Sequence, residues 1–527
     1  MDHTARLSTI LHAHLPWVRH PQHPHHLEEQ WFFEAMHETY LPLLQLLDRL
    51  ERDDVSGRFT VSLSPTLLAM MADELLTERF VDHLSRLVEF SRRDVERTEG
   101  EQFETVARYY HRRFSGFYDY FVDELDGDVI GAFGAFARNN RIELMTCVGT
   151  HPILPFMVTD RGRRAQIRVG LEEFERHFDT RPRGIWIPEC AFAPGIDELL
   201  AAEGICFACL EDTAITTADA PPVFGTYAPV VSDGGVAFFG RDPFSGSQVW
   251  SADQGYPGDA VYREFYRDRG WDLPVDQLEP VLHPDGIRHN TGLKYHRVTG
   301  DVALDDKQPY DPQIAEQRAR EHARHFVDSR LDQIGAVRES MSDRPPHITC
   351  TYDAELFGHW WFEGPVFLEE VARCIDTAEG IELSTPVDFL DAVPIQQQTT
   401  PGISTWGEAG YFAVWLDESN AWIYRHLRNA EQKMVQLSDQ YADATGPVQR
   451  ALRQAARELV VAQASDWPFI IHGDTTVEYA EQRLEDHLDA FHRLAAMVES
   501  QQIDEEYVEQ RESQHNLFPT IDPAWWR

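Results

Sequence analysis

Lysine is scarce in this chain of 527 residues: Lys294, Lys307 and Lys433 are the only three, and arginine supplies the rest of the 47 basic residues. Against them stand 88 acidic residues, which gives a formal net charge of −41. A surface this negative repels phosphate backbones and anionic lipid headgroups, so it argues against nucleic acid or a membrane surface as a partner. A neutral ligand is expected instead.

The excess of carboxylates over lysines has two explanations. In salt of about 1 M the Debye length falls to about 3 Å, so a strongly acidic surface repels itself less. We expect adaptation to concentrated salt, and the alternative is a GC-rich genome with an acidic proteome. A melting temperature that does not rise between low and molar salt would contradict salt adaptation.

Cysteine is also scarce, and long apolar runs are missing. Six cysteines are too few for a disulfide scaffold in a chain of this length. Cys206 and Cys209 have the spacing of redox and zinc sites, but they lie in an apolar strand-like run, so core packing is expected. The sequence has neither an apolar run of about eighteen residues nor a basic and apolar leader, so we expect a cytoplasmic protein with no membrane partner.

The pattern of the chain predicts more than one structural unit. Apolar, β-branched runs alternate with helix-periodic segments, which is typical of βα units and a parallel sheet. A charged, glycine-poor stretch at about 71–125 predicts a helical insertion. After a polar linker the pattern changes to long helices. We therefore expect a catalytic domain at 1–395, which includes a loop at 250–259, and a helical C-terminal domain at 396–527.

Two segments place a carboxylate just past a strand-like run, among aromatic residues. They are Gly184-Ile-Trp-Ile-Pro-Glu189 and Ile348-Thr-Cys-Thr-Tyr-Asp353. An acid among apolar side chains is costly unless it is used or hydrogen bonded. Strand ends of a parallel barrel carry catalytic groups, and two carboxyls are what glycosidic-bond cleavage requires. Glu355 is the other acid that the second segment offers, and strand-end geometry favours Asp353.

Histidines on the first predicted strand leave two possibilities open. His12 and His14 share one face of that strand. With Asp353 they would suit a metal site of the kind found in polysaccharide deacetylases. Alternatively they hydrogen-bond sugar hydroxyls and the nucleophile, and His151 can join either arrangement.

Aromatic residues beside glycine and acids are candidate sugar platforms. Trp406 and Trp415 stand at the start of the helical region, where core packing and stacking on pyranose rings are both open. Tyr256 lies between glycine and proline in the loop 250–259, which is either a lid over a cleft or a plain surface turn.

Taken together, these motifs resemble glycoside hydrolase family 57, and within it the glucan branching enzymes. The resemblance spans nearly the whole chain. Its ordered motifs are His12-Ala-His-Leu-Pro, Gly149-Thr-His-Pro, Trp186-Ile-Pro-Glu-Cys, Thr351-Tyr-Asp-Ala-Glu-Leu-Phe-Gly-His-Trp-Trp and Trp406-Gly-Glu-Ala-Gly-Tyr.

The resemblance implies an α/β fold, namely an incomplete (β/α)7 barrel with a helical insertion and a helical C-terminal domain that closes over the cleft. It implies a retaining transglycosylase that cleaves α-1,4 bonds and forms α-1,6 branches in glycogen-type glucans, without metal or other cofactor. Glu189 would be the nucleophile and Asp353 the general acid/base. By the same resemblance Trp406, Asp466 and Arg288 match glucan-binding residues, and Tyr256 matches a loop tyrosine associated with branching.

Two positions depart from the family, and other functions remain open. Thr475 stands where members tend to have glutamine, and Asp305 where they have glycine, so those two contacts are left open. The same carboxylates would serve a family α-amylase or 4-α-glucanotransferase. A metal-dependent deacetylase and a catalytically dead glycogen-binding protein are the remaining alternatives, and intact carboxylates argue against the latter. We expect a monomer or a small homo-oligomer.

Overall fold

A computed structural model of the protein describes residues 4–251, 255–341 and 343–527. Short parallel strands form its centre, and their residues are almost all buried. The strands are β1 (Ala5–Ala13), β2 (Phe59–Leu63), β3 (Ile142–Cys147), β4 (Ile185–Trp186), β5 (Phe207–Leu210), β6 (Val230–Val231), β7 (Ala237–Gly240), β8 (His347–Asp353), β9 (Ile381–Leu383) and β10 (Gln397–Gln398).

The parallel strands form a ring that is only weakly closed. One sheet has the order β4-β3-β2-β1-β8, and β5 pairs with β7 in a second sheet. Single parallel bridges join the two sheets, from Gly184 to Phe207 and from Arg241 to Thr349. The ring β8-β1-β2-β3-β4-β5-β7 therefore has seven parallel strands and two seams, which is the expected incomplete (β/α)7 barrel. Outside the ring, β6 pairs antiparallel with β7.

Helices alternate with these strands. They are α1 (Glu29–Ala35), α2 (Leu41–Arg52), α3 (Pro65–Met71), α4 (Glu74–Arg97), α5 (Glu104–Asp119), α6 (Val129–Arg138), α7 (Asp160–Phe178), α8 (Ile196–Ala202), α9 (Asp212–Thr216), α10 (Pro243–Trp250), α11 (Arg269–Asp272), α12 (Pro312–Val337), α13 (Gly364–Thr377) and α14 (Pro386–Ala392). A π-helical turn, Met36–Tyr40, joins α1 to α2. The stretch where the sequence predicts a helical insertion holds α4 and α5, which pack against each other.

Long helices follow the barrel. They are α15 (Trp422–Gln440), α16 (Gly446–Ala462), α17 (Asp466–His472), α18 (Val477–Ser500) and α19 (Glu505–Gln514). Leu452, Ala455 and Leu459 recur at helical spacing on α16 and are buried, so these helices pack through apolar stripes. No helix of the described ranges is long and apolar enough to cross a membrane. The domain limits at 395 and 396 stay a prediction.

The Cys206 and Cys209 pair follows the expectation only in part. Cys209 lies inside β5 and is buried, whereas Cys206 precedes the strand and is exposed. The predicted apolar run begins earlier than the strand, which starts at Phe207. Core packing is therefore correct for Cys209 and wrong for Cys206.

Candidate active site

A cavity of about 670 Å³ lies at the carboxyl ends of the barrel strands. Nine of the residues singled out in the sequence line it: Glu189, Asp353, Glu355, His12, His14, His151, Trp406, Trp415 and Asp466. They come from β1, β8 and the turn after it, the loops after β3 and β4, the segment before α15, and α17. Parallel strands bring these distant positions together, because their carboxyl ends meet at one face of the barrel.

Glu189 sits in a strained turn just past β4. Its backbone is left-handed, with φ 57° and ψ 22°, and Cys190 beside it also has a positive φ. Such conformations are uncommon for residues other than glycine and concentrate at functional sites. The Trp406 indole N–H donates to Glu189 Oε2 at 2.5 Å, and the Trp406 backbone N–H donates to the Glu189 carbonyl at 3.0 Å. Trp406 therefore fixes both the side chain and the main chain of Glu189.

Asp353 is the last residue of β8. In the sheet register it stands opposite His12 of β1. Burial raises the pKa of Asp353 to about 6, although the positive charges of Arg241 and His14 oppose that rise. Its surroundings are thus more polar than those of Glu189.

The two carboxyls hold one proton between them near neutral pH. Burial raises the pKa of Glu189 to about 8; the Trp406 hydrogen bond opposes this rise, and the charge of Asp353 adds to it. The pair thus exists as one acid and one base between about pH 6 and about pH 8.

Three imidazoles form a stack beside the carboxyls. The rings of His14 and His151 lie 3.9 Å apart and nearly parallel, and His12 stacks on Trp186 at 4.5 Å. His12 Nε2 and His151 Nε2 are 3.0 Å apart. Burial, with the neighbouring imidazoles, holds the pKa of His12 and that of His151 well below the ordinary value. These two rings are neutral hydrogen-bonding groups rather than cations.

Three of these side chains have the spacing of a metal site. Ligand atoms of His14, His151 and Asp466 lie within 4.8 Å of one another. Each atom already has a protein partner, since His14 Nε2 meets Asp466 at 3.2 Å and His151 bonds His12 and Ser465. Within the described ranges, His12, His14 and Asp353 do not converge to such a spacing, so the deacetylase triad considered from the sequence is wrong in geometry.

Aromatic rings supply much of the cavity wall. Trp406 lies beside Glu189, and Trp415 is buried at 2% exposure with one edge on the cavity. Trp250, Trp360 and Phe469 also line the cavity and are about half exposed. Sugar rings have apolar faces and polar edges, so a cavity with aromatic walls and a few convergent carboxyls and imidazoles suits them.

Tyr256 and Arg288 lie elsewhere. Neither is among the described residues that line the cavity. Tyr256 is buried, stacks on His322 at 4.6 Å and hydrogen-bonds His325 Nδ1 at 2.7 Å, so its ring is not exposed as it would be in a plain surface turn. Residues 252–254 of the same loop lie outside the described residues. Arg288 donates to the carbonyls of Gly270 and Leu273.

The two departures from the family also lie off the cavity. Thr475 is exposed just before α18, and Asp305 is exposed in a short 3-10 turn, where its carbonyl accepts from Arg267 at 3.1 Å.

Sequence reasoning missed several residues of the cavity. Arg241, Glu34 and His359 line it, close to Glu355, which the sequence offered as the other acid of its segment. Arg241 directly follows β7, so the apolar run of that strand could have predicted a cavity residue at this position. Burial raises the pKa of Glu355 to about 8, with the charge of Asp353 adding to it, although Tyr40 and the His14 backbone N–H donate to this carboxylate.

Two family models match the chain. The model of glycosyl hydrolase family 57 matches residues 8–404, which holds both carboxyls and the imidazole stack. The chain belongs to glycoside hydrolase family 57. A second model, described as the C-terminal part of 1,4-alpha-glucan branching enzyme, matches residues 426–526.

The chain is similar both to branching enzymes and to an alpha-amylase. A 1,4-alpha-glucan branching enzyme of Thermococcus kodakarensis is 32% identical over 98% of this chain and 77% of its own length. The crystal structure of a family-57 branching enzyme from that archaeon has a TM-score of 0.89 at 32% identity and covers 99% of this chain and 96% of its own. The crystal structure of an alpha-amylase from Thermotoga maritima has a TM-score of 0.93 at 37% identity and covers 99% of both chains.

Proposed function

We propose that this family-57 protein is a 1,4-α-glucan branching enzyme that works by retaining transglycosylation. The observation that carries the proposal is the Glu189 and Asp353 pair in one aromatic cavity, with Trp406 from beyond the β10 strand bonded directly to Glu189. The match of residues 426–526 to the branching-enzyme C-terminal model supports transfer as the outcome.

The proposed reaction has two steps. Ionised Glu189 attacks C1 of an α-1,4-linked glucosyl unit while Asp353 gives its proton to the departing O4, which leaves a covalent glycosyl-enzyme. Asp353, now a base, takes the proton from the 6-hydroxyl of an acceptor chain, whose oxygen displaces Glu189. Each step inverts C1, so the new α-1,6 bond has the original configuration.

The surrounding groups have assigned tasks in this proposal. Trp406 stabilises Glu189 as an anion, because its N–H donates to the carboxylate. Asp466, which lies 3.2 Å from His14 Nε2, accepts hydrogen bonds from sugar hydroxyls near the cleavage point, and the neutral rings of His12 and His151 support His14 from behind. Aromatic platforms such as Trp250 and Phe469, which are about half exposed on the cavity, position the acceptor. Transfer must outpace hydrolysis by water of roughly 55 M, so the acceptor needs this positioning and the cavity must limit access of water.

Tyr256 and Arg288 take no direct part in this proposal. Tyr256 is buried against His322 and His325, and Arg288 holds backbone carbonyls. A role for Tyr256 in branching requires its ring to leave these partners when a glucan binds.

An α-amylase is the second candidate. The observation that favours it is the likeness to the Thermotoga maritima amylase structure, at 37% identity. Hydrolysis uses the same glycosyl-enzyme, with water in place of the acceptor 6-hydroxyl.

Proton NMR of amylose incubated with the enzyme separates the two candidates. New α-1,6 anomeric signals without a matching rise in reducing ends are expected, and reducing ends alone would establish the amylase. The same incubation with a chelator should run at an unchanged rate, because no step of the proposal uses a metal. Glu189→Gln is the matched inactive control.

A further inference from the structure

One wall of the cavity has no task in the reaction proposed above. It consists of Glu34, at the end of α1, and of His359 and Trp360, in the loop after β8. All three line the cavity that holds the two carboxyls. We call them the β8-loop wall.

His359 is held so that one ring nitrogen remains for a ligand. His359 Nδ1 lies 2.6 Å from Glu38 Oε2. Although burial favours the neutral acid, Arg263 and His359 hold the pKa of Glu38 well below its ordinary range, so Glu38 is an anion that only accepts. Nδ1 therefore carries the proton that is shared with Glu38. Nε2, on the opposite edge of the ring, is left for a group in the cavity.

The support behind His359 is rigid and buried. Arg263 NH1 donates to Glu38 Oε1 at 2.8 Å, and Arg263 NH2 donates to the His359 carbonyl at 3.0 Å. The Arg263 side chain is fully buried. Gly358 has φ +119°, and a Cβ at that position would lie 1.8 Å from the Glu38 carbonyl oxygen. Only glycine lets the loop approach Glu38 this closely, so both sides of the contact are fixed.

Glu38 itself belongs to the π-helical turn Met36–Tyr40. Single π turns inside helices occur frequently at functional sites. The same turn also provides Tyr40, which donates to Glu355 in the cavity. One turn thus orients two side chains of the loop that follows Asp353.

Trp360 gives this wall an exposed aromatic face. It is 53% exposed, and it stacks on Phe265 at 4.4 Å with an interplanar angle of 15°. The Lys294 ammonium lies 4.2 Å from the centre of the Phe265 ring. Large exposed tryptophans beside a cavity are typical of ligand contacts, and this one needs no reorganisation of its support to bind.

We propose that the β8-loop wall is a glucose-binding subsite, in which Trp360 stacks on a pyranose ring while His359 Nε2 and Glu34 hydrogen-bond its hydroxyls. The subsite rests on the proposed α-glucan substrate, and it applies whether the enzyme transfers or hydrolyses. His359 acts as a substrate-positioning residue, and Glu38 acts through it.

Two substitutions of His359 test the assignment, because each one keeps the group that the other removes. Asparagine places an N–H where Nδ1 stands and lacks Nε2, whereas glutamine reaches the position of Nε2 and lacks the bond to Glu38. Calorimetric titration of maltoheptaose into each variant, in the Glu189→Gln background, measures binding without turnover. H359N should weaken binding about tenfold, the effect of one lost hydrogen bond, and H359Q should stay within about threefold of the parent.

If His359 were purely structural, H359Q would weaken maltoheptaose binding more than H359N does. That result would overturn the subsite. Trp360→Ala should weaken maltoheptaose binding about tenfold, and Trp360→Phe should restore most of it, because a stacking face remains. Unchanged binding in both Trp360 variants would also overturn it. The melting temperature of each variant identifies loss of the fold. If wild-type enzyme makes no α-1,6 bonds yet these titrations behave as expected, branching fails and the subsite stands.

Discussion

The ends of β4 and β8 each offer one carboxyl to the cavity, but they hold it in different ways. At β4, Glu189 has a left-handed backbone conformation. Its carboxylate accepts a hydrogen bond from the indole N–H of Trp406, which belongs to a distant segment of the chain. At β8, Asp353 continues an ordinary extended strand, and the charges of Arg241 and His14 act on it.

This difference sets the order of the two pKa values. Burial raises both pKa values. At the β4 end the Trp406 N–H opposes the rise and the pKa of Glu189 reaches about 8, whereas at the β8 end the charge of Arg241 opposes it and the pKa of Asp353 reaches only about 6. Environment thus separates two chemically similar groups, which is how one site obtains an acid and a base at a single pH.

Azide rescue tests which strand end supplies the nucleophile. Glu189→Gly and Asp353→Ala should each lose about 10⁴-fold or more in transfer activity, because both act in every turnover. With azide and an activated α-glucosyl fluoride, Glu189→Gly should yield the β-azide by a single displacement. Asp353→Ala should yield the α-azide through the glycosyl-enzyme. Exchanged configurations would reverse the two roles.

Trp406→Phe removes the donor that distinguishes the β4 end. The rate constant kcat should fall about 10- to 100-fold, the loss expected for a hydrogen bond to a charged group. The pKa of Glu189 should rise, because its anion loses that bond. The alkaline limb of kcat/KM, expected near pH 8, should therefore move upward while the acid limb near pH 6 stays. Trp415→Phe, which removes an indole without a bond to Glu189, is the matched control.

Thermal stability tests the cost of burying Glu189. Its pKa is raised in the folded state, so its proton stabilises the fold below about pH 4.5 and that contribution is lost as pH rises through about 8. Glu189→Gln cannot ionise, so at pH 9 it should melt about 2–4 °C above wild type, and at pH 4.5 the two should coincide. A variant that melts with wild type at pH 9 would mean that the folded state does not raise this pKa.

The smallest effect on catalysis is expected away from both strand ends. Arg288→Ala should leave KM for amylose and kcat within about twofold, because Arg288 holds the carbonyls of Gly270 and Leu273 outside the cavity. Its melting temperature should fall, and that fall confirms that the contacts were structural. A tenfold rise in KM would return Arg288 to the glucan-binding set.

The sequence predicted the parts of the fold and site that follow strand ends. Alternating apolar runs and helices indicate a parallel barrel, and an acid after such a run must reach its carboxyl face. Glu189, Asp353 and His12 were therefore predictable from local pattern. Trp406 and Asp466 come from outside the barrel strands, and it was the family resemblance that singled them out as glucan-binding candidates.

The other parts depend on contacts that local pattern does not encode. Tyr256 stands in a loop of glycine and proline, which reads as surface, yet His322 and His325 of α12 bury its ring. Glu34 and Glu38 look like an exposed acidic stripe on a helix, and the tertiary partners Arg263 and His359 turn Glu38 inward. Burial of polar groups depends on partners far away in the sequence, so these positions required the structure.

The π turn at Met36–Tyr40 also sets how this enzyme tolerates insertions and deletions. A π turn holds one residue more than the α-helical turn that it replaces. Deleting one residue there would restore a regular helix and rotate everything before it by about 100° relative to α2. Glu34 and Trp31, two residues of α1 that line the cavity, would then leave it while Tyr40 stayed. Deletion of a single residue would thus remove part of the proposed glucan site without moving either carboxyl.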